Sequence, residues 1–216
     1  QAGGNALLLE ELIREAAAGR ISDQPATALA ILQARIDRLP SQARRILRAA
    51  SVYGEVFWRG GISAVLAEDT TSEEVDPWLD ILYQHEMIER HRDSRFGGEV
   101  EYRFRHALIH DAAYGLLTDE DRQRCHFAAL EYLSALQDSD PLVLAGHAER
   151  SGRRDRAATY YAAAVRHAYN CNDLENAVAY APRAIACAAR SDAGGKKGKP
   201  LVGTRGFEPP TPTPPV

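Results

Sequence analysis

Apolar positions recur at helical spacing along most of this chain. In GGNALLLEELIREAAAG, a Gly-Gly-Asn turn leads into Leu8, Leu9, Leu12, Ile13 and Ala16, and Gly19 ends the run. Leu29, Leu32, Ile36 and Leu39 mark a second helix, stopped by Pro40. Ser41 is the expected cap of a third, with Ile46, Leu47, Ala49 and Ala50 inside. EVFWRGGISAVLA reads as a fourth helix, broken early by Gly60 and Gly61. TSEEVDPWLDILYQHE reads as a fifth, capped by Ser72, with Val75, Leu79, Leu82 and Tyr83 on its buried face.

The period then changes. Val100, Tyr102 and Phe104 alternate with Glu101, Arg103 and Arg105, so MIERH and VEYRFR predict two short strands joined by RDSRFGG through a Gly-Gly turn. Helical spacing resumes from His106 to Leu117. Thr118 is the expected cap of the next helix, with Asp119, Glu120 and Asp121 in its first turn. The core stripe of that helix is Cys125, Ala128, Ala129, Tyr132, Leu133 and Leu136. PLVLAGHAERSG predicts another helix. RDRAATYYAAAVRHAY and LENAVAYAPRAIACAA predict an antiparallel pair with Asn172-Asp173 in the turn. Ala157, Tyr161 and Ala164 carry the small-aromatic-small rhythm of tetratricopeptide helices, and Ala177, Ala181 and Ala184 repeat the spacing 20 residues later. Pro182 removes one hydrogen bond from the last helix and is expected to kink it.

The predicted fold class is therefore mainly α. Three helices followed by a β-hairpin make a winged-helix domain over residues 40–117, and an antiparallel, tetratricopeptide-like helical array follows over 118–190.

Composition changes this picture at the ends. Residues 1–190 hold 22 Arg and no Lys, whereas all three Lys, six of eleven Pro and five of sixteen Gly fall in the last 26 residues. Such a tail buries too little apolar area to offset its ordering entropy, so residues 191–216 are expected to be disordered. GTRGFEPPTPTPPV also resembles the product of a reading frame that shifts or runs on into a transfer-RNA gene. With no starting Met, the chain reads as a fragment of a longer protein. The body carries 22 Arg against 28 acids, a charge of −6, which disfavours nucleic acid as a partner. The segment expected to face DNA, residues 68–86, holds seven acids and no Lys or Arg, which costs affinity at every phosphate approached. No apolar run is long enough to cross a bilayer, and no signal peptide is visible. Cys125, Cys171 and Cys187 have no CxxC spacing, which fits a reducing, cytoplasmic setting.

Chemistry is sparse. His106 and His110 stand four apart on one helix, but a metal site needs a third ligand and usually an acid, and Ala-Leu-Ile lies between them. There is no GxSxG, and Cys125 and His126 are helix neighbours that face different directions. No catalytic residue and no metal ligand is assigned.

The segments GGNALLLEELIR, ARIDRLPSQARRILRAASVYGEVF, EYRFRHALIHDAAYGLLTDEDR and GHAERSGRRDRAATYYAAAVRHA resemble the C-terminal part of bacterial STAND-type (AAA-like) P-loop ATPase regulators. In that family a nucleotide domain precedes a winged helix and tetratricopeptide repeats, often fused to a Ser/Thr kinase, a nucleotide cyclase or a helix-turn-helix output domain. The resemblance implies that residues 1–39 are lid or linker helices of the ATPase domain. It implies ATP or ADP with Mg²⁺ as cofactor of the intact parent, none for this chain, and a missing N-terminal nucleotide-binding domain as its partner. The repeats would bind a protein or small-molecule signal. The GxxxxGK[ST] loop and the Walker B acid are absent here, so the chain is expected not to hydrolyse ATP. Two places match nucleotide contacts of the family. Gly4-Asn5 matches a Gly-Asn-Pro turn near the adenine, with Ala6 where the proline stands. Arg105-His106-Ala107 lies where related switches carry Met-His-Asp, whose His reaches the β-phosphate of ADP. A helix N-terminus suits an anion, and His106 and Arg105 would add a donor and a charge. The alternative for His106 is an ordinary cap and packing residue. For the whole chain, the alternatives are a helical interaction scaffold and, less favoured, a DNA-binding regulator.

Overall fold

The computed structural model describes residues 28–66, 72–137 and 139–194. Gly4 and Asn5 lie outside them. The described residues are mainly helical, with one small antiparallel sheet. Helix α1 (Ala28–Asp37) is followed by α2 (Ser41–Ser51), strand β1 (Val56–Trp58), α3 (Arg59–Val65) and α4 (Ser72–Gln84). Strands β2 (Ile88–Arg90) and β3 (Glu101–Phe104) come next, then α5 (Ala107–Gly115) and α6 (Asp119–Ala135). Helices α7 (Pro141–Arg150), α8 (Arg154–Asn170) and α9 (Leu174–Gly194) close the described chain. None of the described helices is long and apolar enough to cross a membrane.

The sheet order is β1-β3-β2, antiparallel throughout. Ile88 faces Phe104 across one side of β3, and Phe57 faces Tyr102 across the other. The hairpin of β2 and β3 matches the alternating pattern, and Gly98, at φ +82°, takes the left-handed turn conformation that a Cβ would strain. Strand β1 is a correction: Val56, Phe57 and Trp58 fall inside the expected fourth helix. Phe57 is fully buried and stacks on Tyr102 at 5.8 Å, so tertiary pairing overrides the short helical pattern. The glycines do not break α3; they belong to it. Gly60 donates its N–H to the Glu99 carboxylate at 3.0 Å, and Gly61 lies under the ring of Tyr53.

Caps follow the sequence in part. Thr118 accepts the Asp121 N–H at 3.1 Å, as expected. Ser41 is instead the first residue of α2; the cap position is Pro40, whose carbonyl accepts the Arg44 N–H at 3.0 Å. Helix α9 runs through Pro182 and ends at Gly194, four residues into the expected tail; residues 195–216 lie outside the described chain.

Two large apolar clusters result, beside a small third one of Val52, Leu117 and Cys125. The first gathers Leu32 and Ile36 of α1, Ile46 and Leu47 of α2, Phe57, Leu79, Ile88 and Ile109 around the sheet. The second joins Leu130, Leu133, Leu144 and Ala157 around Tyr161. Trp58 and Phe96, from β1 and the β2–β3 loop, belong to this second cluster, with their rings 4.8 Å apart. Glu101, 9% exposed, holds that loop by accepting the Trp58 indole N–H at 3.2 Å and the Arg95 N–H at 3.0 Å.

The sheet unit meets the array where α3 packs on α6. A Cβ at Gly61 would stand 2.9 Å from the Tyr53 ring and 3.1 Å from that of Tyr132, and the Tyr53 hydroxyl donates to the Gly61 carbonyl at 2.7 Å. Gly61→Val is therefore expected to lose about 2–3 kcal/mol by overpacking. Urea unfolding measures it; an unchanged midpoint would mean that this junction can admit the larger side chain.

Candidate functional site

Helix α5 starts where β3 ends. His106 is its N-cap residue, with extended backbone (φ −142°, ψ 142°), and its carbonyl accepts the Ile109 N–H at 3.0 Å. The imidazole makes no capping hydrogen bond to the helix. Beside it, the Arg105 N–H donates to the Met87 carbonyl at 3.1 Å, which ties the junction to the start of β2. The Arg105 guanidinium pairs with Glu86 at 3.2 Å, with both side chains more than a third exposed. Glu86 itself sits at φ +55° in the turn between α4 and β2. An anion at this junction would therefore have to draw Arg105 from Glu86.

His110 lies one turn further along α5, and Tyr114 one more. Both are more engaged than their spacing alone indicated. His110 Nε2 lies 3.0 Å from the Ser51 carbonyl, and Nδ1 lies 2.9 Å from the Asp111 carboxylate. Its ring meets Phe104 edge-on at 5.5 Å and stacks on Tyr114 at 6.0 Å. The Tyr114 hydroxyl reaches His126 Nε2 at 2.9 Å, and His126 Nδ1 meets His147 Nδ1 at 3.0 Å. An unbroken series of ring contacts thus leads from β3, through α5 and α6, to α7.

His126 and His147 are 2% and 4% exposed. Burial pushes the His126 imidazole down to about 3, helped by His147, Arg150 and Arg122. Burial, and then Arg150, pushes His147 down to about 4. Both rings are neutral at physiological pH, and the bond between them needs one donor and one acceptor.

Neither histidine of this pair is among the expected site residues, although His126, Leu130 and Leu133 form their own i, i+4, i+7 stripe beside Cys125. His147 stands among Leu144, Ala145 and Ala148, all buried. A histidine on an apolar stripe was the available signal. Cys125 packs elsewhere, near Val52 and Leu117, and burial pushes its thiol up, away from the activated thiolate range. Among the described residues, no group of three or more His, Cys, Asp or Glu is placed to hold a metal ion.

Of the expected site residues, His106 and Arg105 share the junction and Gly4 and Asn5 lie outside the described residues, while the buried imidazoles of His126 and His147 lie further along. No protein-family model, curated protein or solved structure matches this chain.

Proposed function

We propose that this chain is a non-catalytic coupling module of a nucleotide-switched, STAND-type signal-transduction ATPase. In this reading residues 40–117 are a winged helix and residues 118–190 begin a tetratricopeptide-like array. The helix-strand order α-β-α-α-β-β with strand order β1-β3-β2 supports the first assignment. Ala157, Tyr161 and Ala164, all buried between neighbouring helices, support the second.

One observation carries the coupling: α5 bears His106 at its N-terminus and His110 and Tyr114 at successive turns, and Tyr114 hands on to His126 and His147. A phosphate bound at His106 would act on the first turn of a helix whose other end is hydrogen-bonded into the array. Bound ADP would favour the arrangement in which this contact is made, and that differential contact is what a switch requires. The intact parent would supply the phosphate loop, Mg²⁺ and the output domain, and the array would receive a protein or small-molecule signal.

The test is ADP affinity of the intact parent with His106→Ala. A loss of about tenfold, or 1.4 kcal/mol, is expected with the melting temperature unchanged. Unchanged affinity together with unchanged basal activity would sink the sensor role. The reading also places a GxxxxGK[ST] loop in the coding sequence upstream of Gln1. The second reading, a helical interaction scaffold, is favoured by the row of Leu174, Val178 and Ile185 on α9, which are 54%, 72% and 69% exposed.

A further inference from the structure

Where α2 ends, between α5 and the three helices α7, α8 and α9, the protein has a cleft of about 470 Å³. That volume suits a small organic ligand. It is lined by Tyr53, Tyr114, Tyr161 and Tyr180 and by Leu142 and Val143. Among the described residues its charged groups are Arg150 and Arg183, with no Asp or Glu in the lining. The nearest acid in sequence to Arg150 is Glu149, and its carboxylate is taken by the Tyr161 hydroxyl at 2.7 Å.

The polar groups facing this space are short of acceptors. Arg150 makes no ion pair or hydrogen bond with another described residue, and its guanidinium folds back over α7 to 3.1 Å from where a Gly146 Cβ would be. Arg183 donates a long bond, 3.3 Å, to the Tyr161 hydroxyl, and the hydroxyl of Tyr180 bonds to no described residue. His147 adds a buried group. Its Nδ1 is committed to His126, and Nε2 bonds to no other described residue. A histidine 96% buried thus lines the wall of the cleft with one ring nitrogen uncommitted among the described residues.

We propose that this cleft is a binding site for a small anion carrying a planar ring, such as an aromatic carboxylate or a ring-bearing phosphate. Arg150 and Arg183 neutralise the anionic group, and an arginine fork suits either a carboxylate or a phosphate. The tyrosines take the ring by stacking. Neutral His147 Nε2 fixes orientation with one hydrogen bond. The site lies beside His110 and Tyr114 but does not rest on the nucleotide-switch reading; it follows from the cleft's own groups and would stand in a scaffold as well. Its ligand would tie the end of α2 to α7 and α9, and so would stiffen the joint between the sheet unit and the array.

The experiment titrates the full chain at pH 7 with benzoate, AMP, benzamide, adenosine and inorganic phosphate, following the imidazole resonances by NMR and the heat by calorimetry. At least one ring-bearing anion is expected to bind and to move the His147 resonances. Its uncharged counterpart and plain phosphate should bind at least tenfold more weakly. Benzoate binding would identify a carboxylate site, and AMP binding a phosphate site. Arg150→Gln, an exposed change, should weaken the anion at least tenfold and leave the unfolding midpoint in place. Arg166→Gln, on the exposed side of α8, should leave affinity unchanged. The proposal is overturned if neither anion moves the His147 resonances, if the uncharged rings bind as well, or if Arg150→Gln binds like the parent chain.

Discussion

Between pH 7 and pH 5 this protein is expected to lose stability steeply, before most of its carboxylates titrate. The cause is the His126–His147 pair. Both imidazoles are held below their ordinary value, to about 3 and about 4, by burial and by the arginines around them. The unfolded chain binds protons as the pH falls through about 6.5, while the folded chain does not. The stability supplied by the neutral rings is therefore fully present above about pH 6.5. It drains as the pH falls and stops draining only below the folded values. By pH 5 the loss is on the order of 2 kcal/mol for each histidine. Geometry adds a reason for the resistance to protonation. Two charged imidazoles would place two Nδ1–H donors face to face at 3.0 Å, with Arg122 on α6, Arg150 on α7 and the hydroxyl of Tyr114 as the surrounding groups. Urea unfolding at several pH values measures the slope. His147→Gln should start less stable at pH 7 and fall less steeply to pH 5. Equal slopes in both proteins would remove the pair as the cause.

Tyr161→Ala is expected to cost about 3–5 kcal/mol, the range for truncating a large buried ring. Tyr161 is 1% exposed and belongs to the cluster made by α6, α7 and α8. Its hydroxyl also donates to Glu149 at 2.7 Å and receives Arg183 at 3.3 Å, so the truncation also removes a polar link between α7, α8 and α9. Tyr161→Phe separates the two contributions. It keeps the ring and should cost about 1 kcal/mol, the net worth of one hydrogen bond. Thermal unfolding by circular dichroism measures both. If the alanine variant lost no more than the phenylalanine variant, the array would be held by something other than this ring.

Small-residue spacing made the α8–α9 pair legible. Ala157, Tyr161 and Ala164 were read as a packing rhythm, and all three are buried. The Thr118 cap and the hairpin of β2 and β3 were legible for the same kind of reason: a hydroxyl before three acids, and alternation broken by a Gly-Gly turn, are local chemistry. Strand β1 was not legible. Three residues cannot display a period, and Phe57 is placed by Tyr102 and Phe104, more than 40 positions later in the chain. Gly60 and Gly61 looked like helix breakers because propensity is all that the sequence offers. In the fold, one admits a carboxylate to the start of α3, and the other admits the rings of Tyr53 and Tyr132.

The candidate site divides along the same line. By itself the sequence determined that α5 would begin at a histidine after a strand, because the change from alternation to helical spacing falls between Phe104 and Ala107. It also determined the acidic, lysine-free body and the absence from this chain of a phosphate loop, both of which are properties of composition and motif. Only the tertiary structure decided that His110 and Tyr114 lead to His126 and His147, and that Arg105 is engaged by Glu86. It alone gathered Arg150, Arg183 and four tyrosines around a cleft that no carboxylate lines. These groups lie up to 130 positions apart in the chain, and no local period records which of them will meet. Their meeting depends on how α3 and α5 pack against the array, and that is settled by shape and burial.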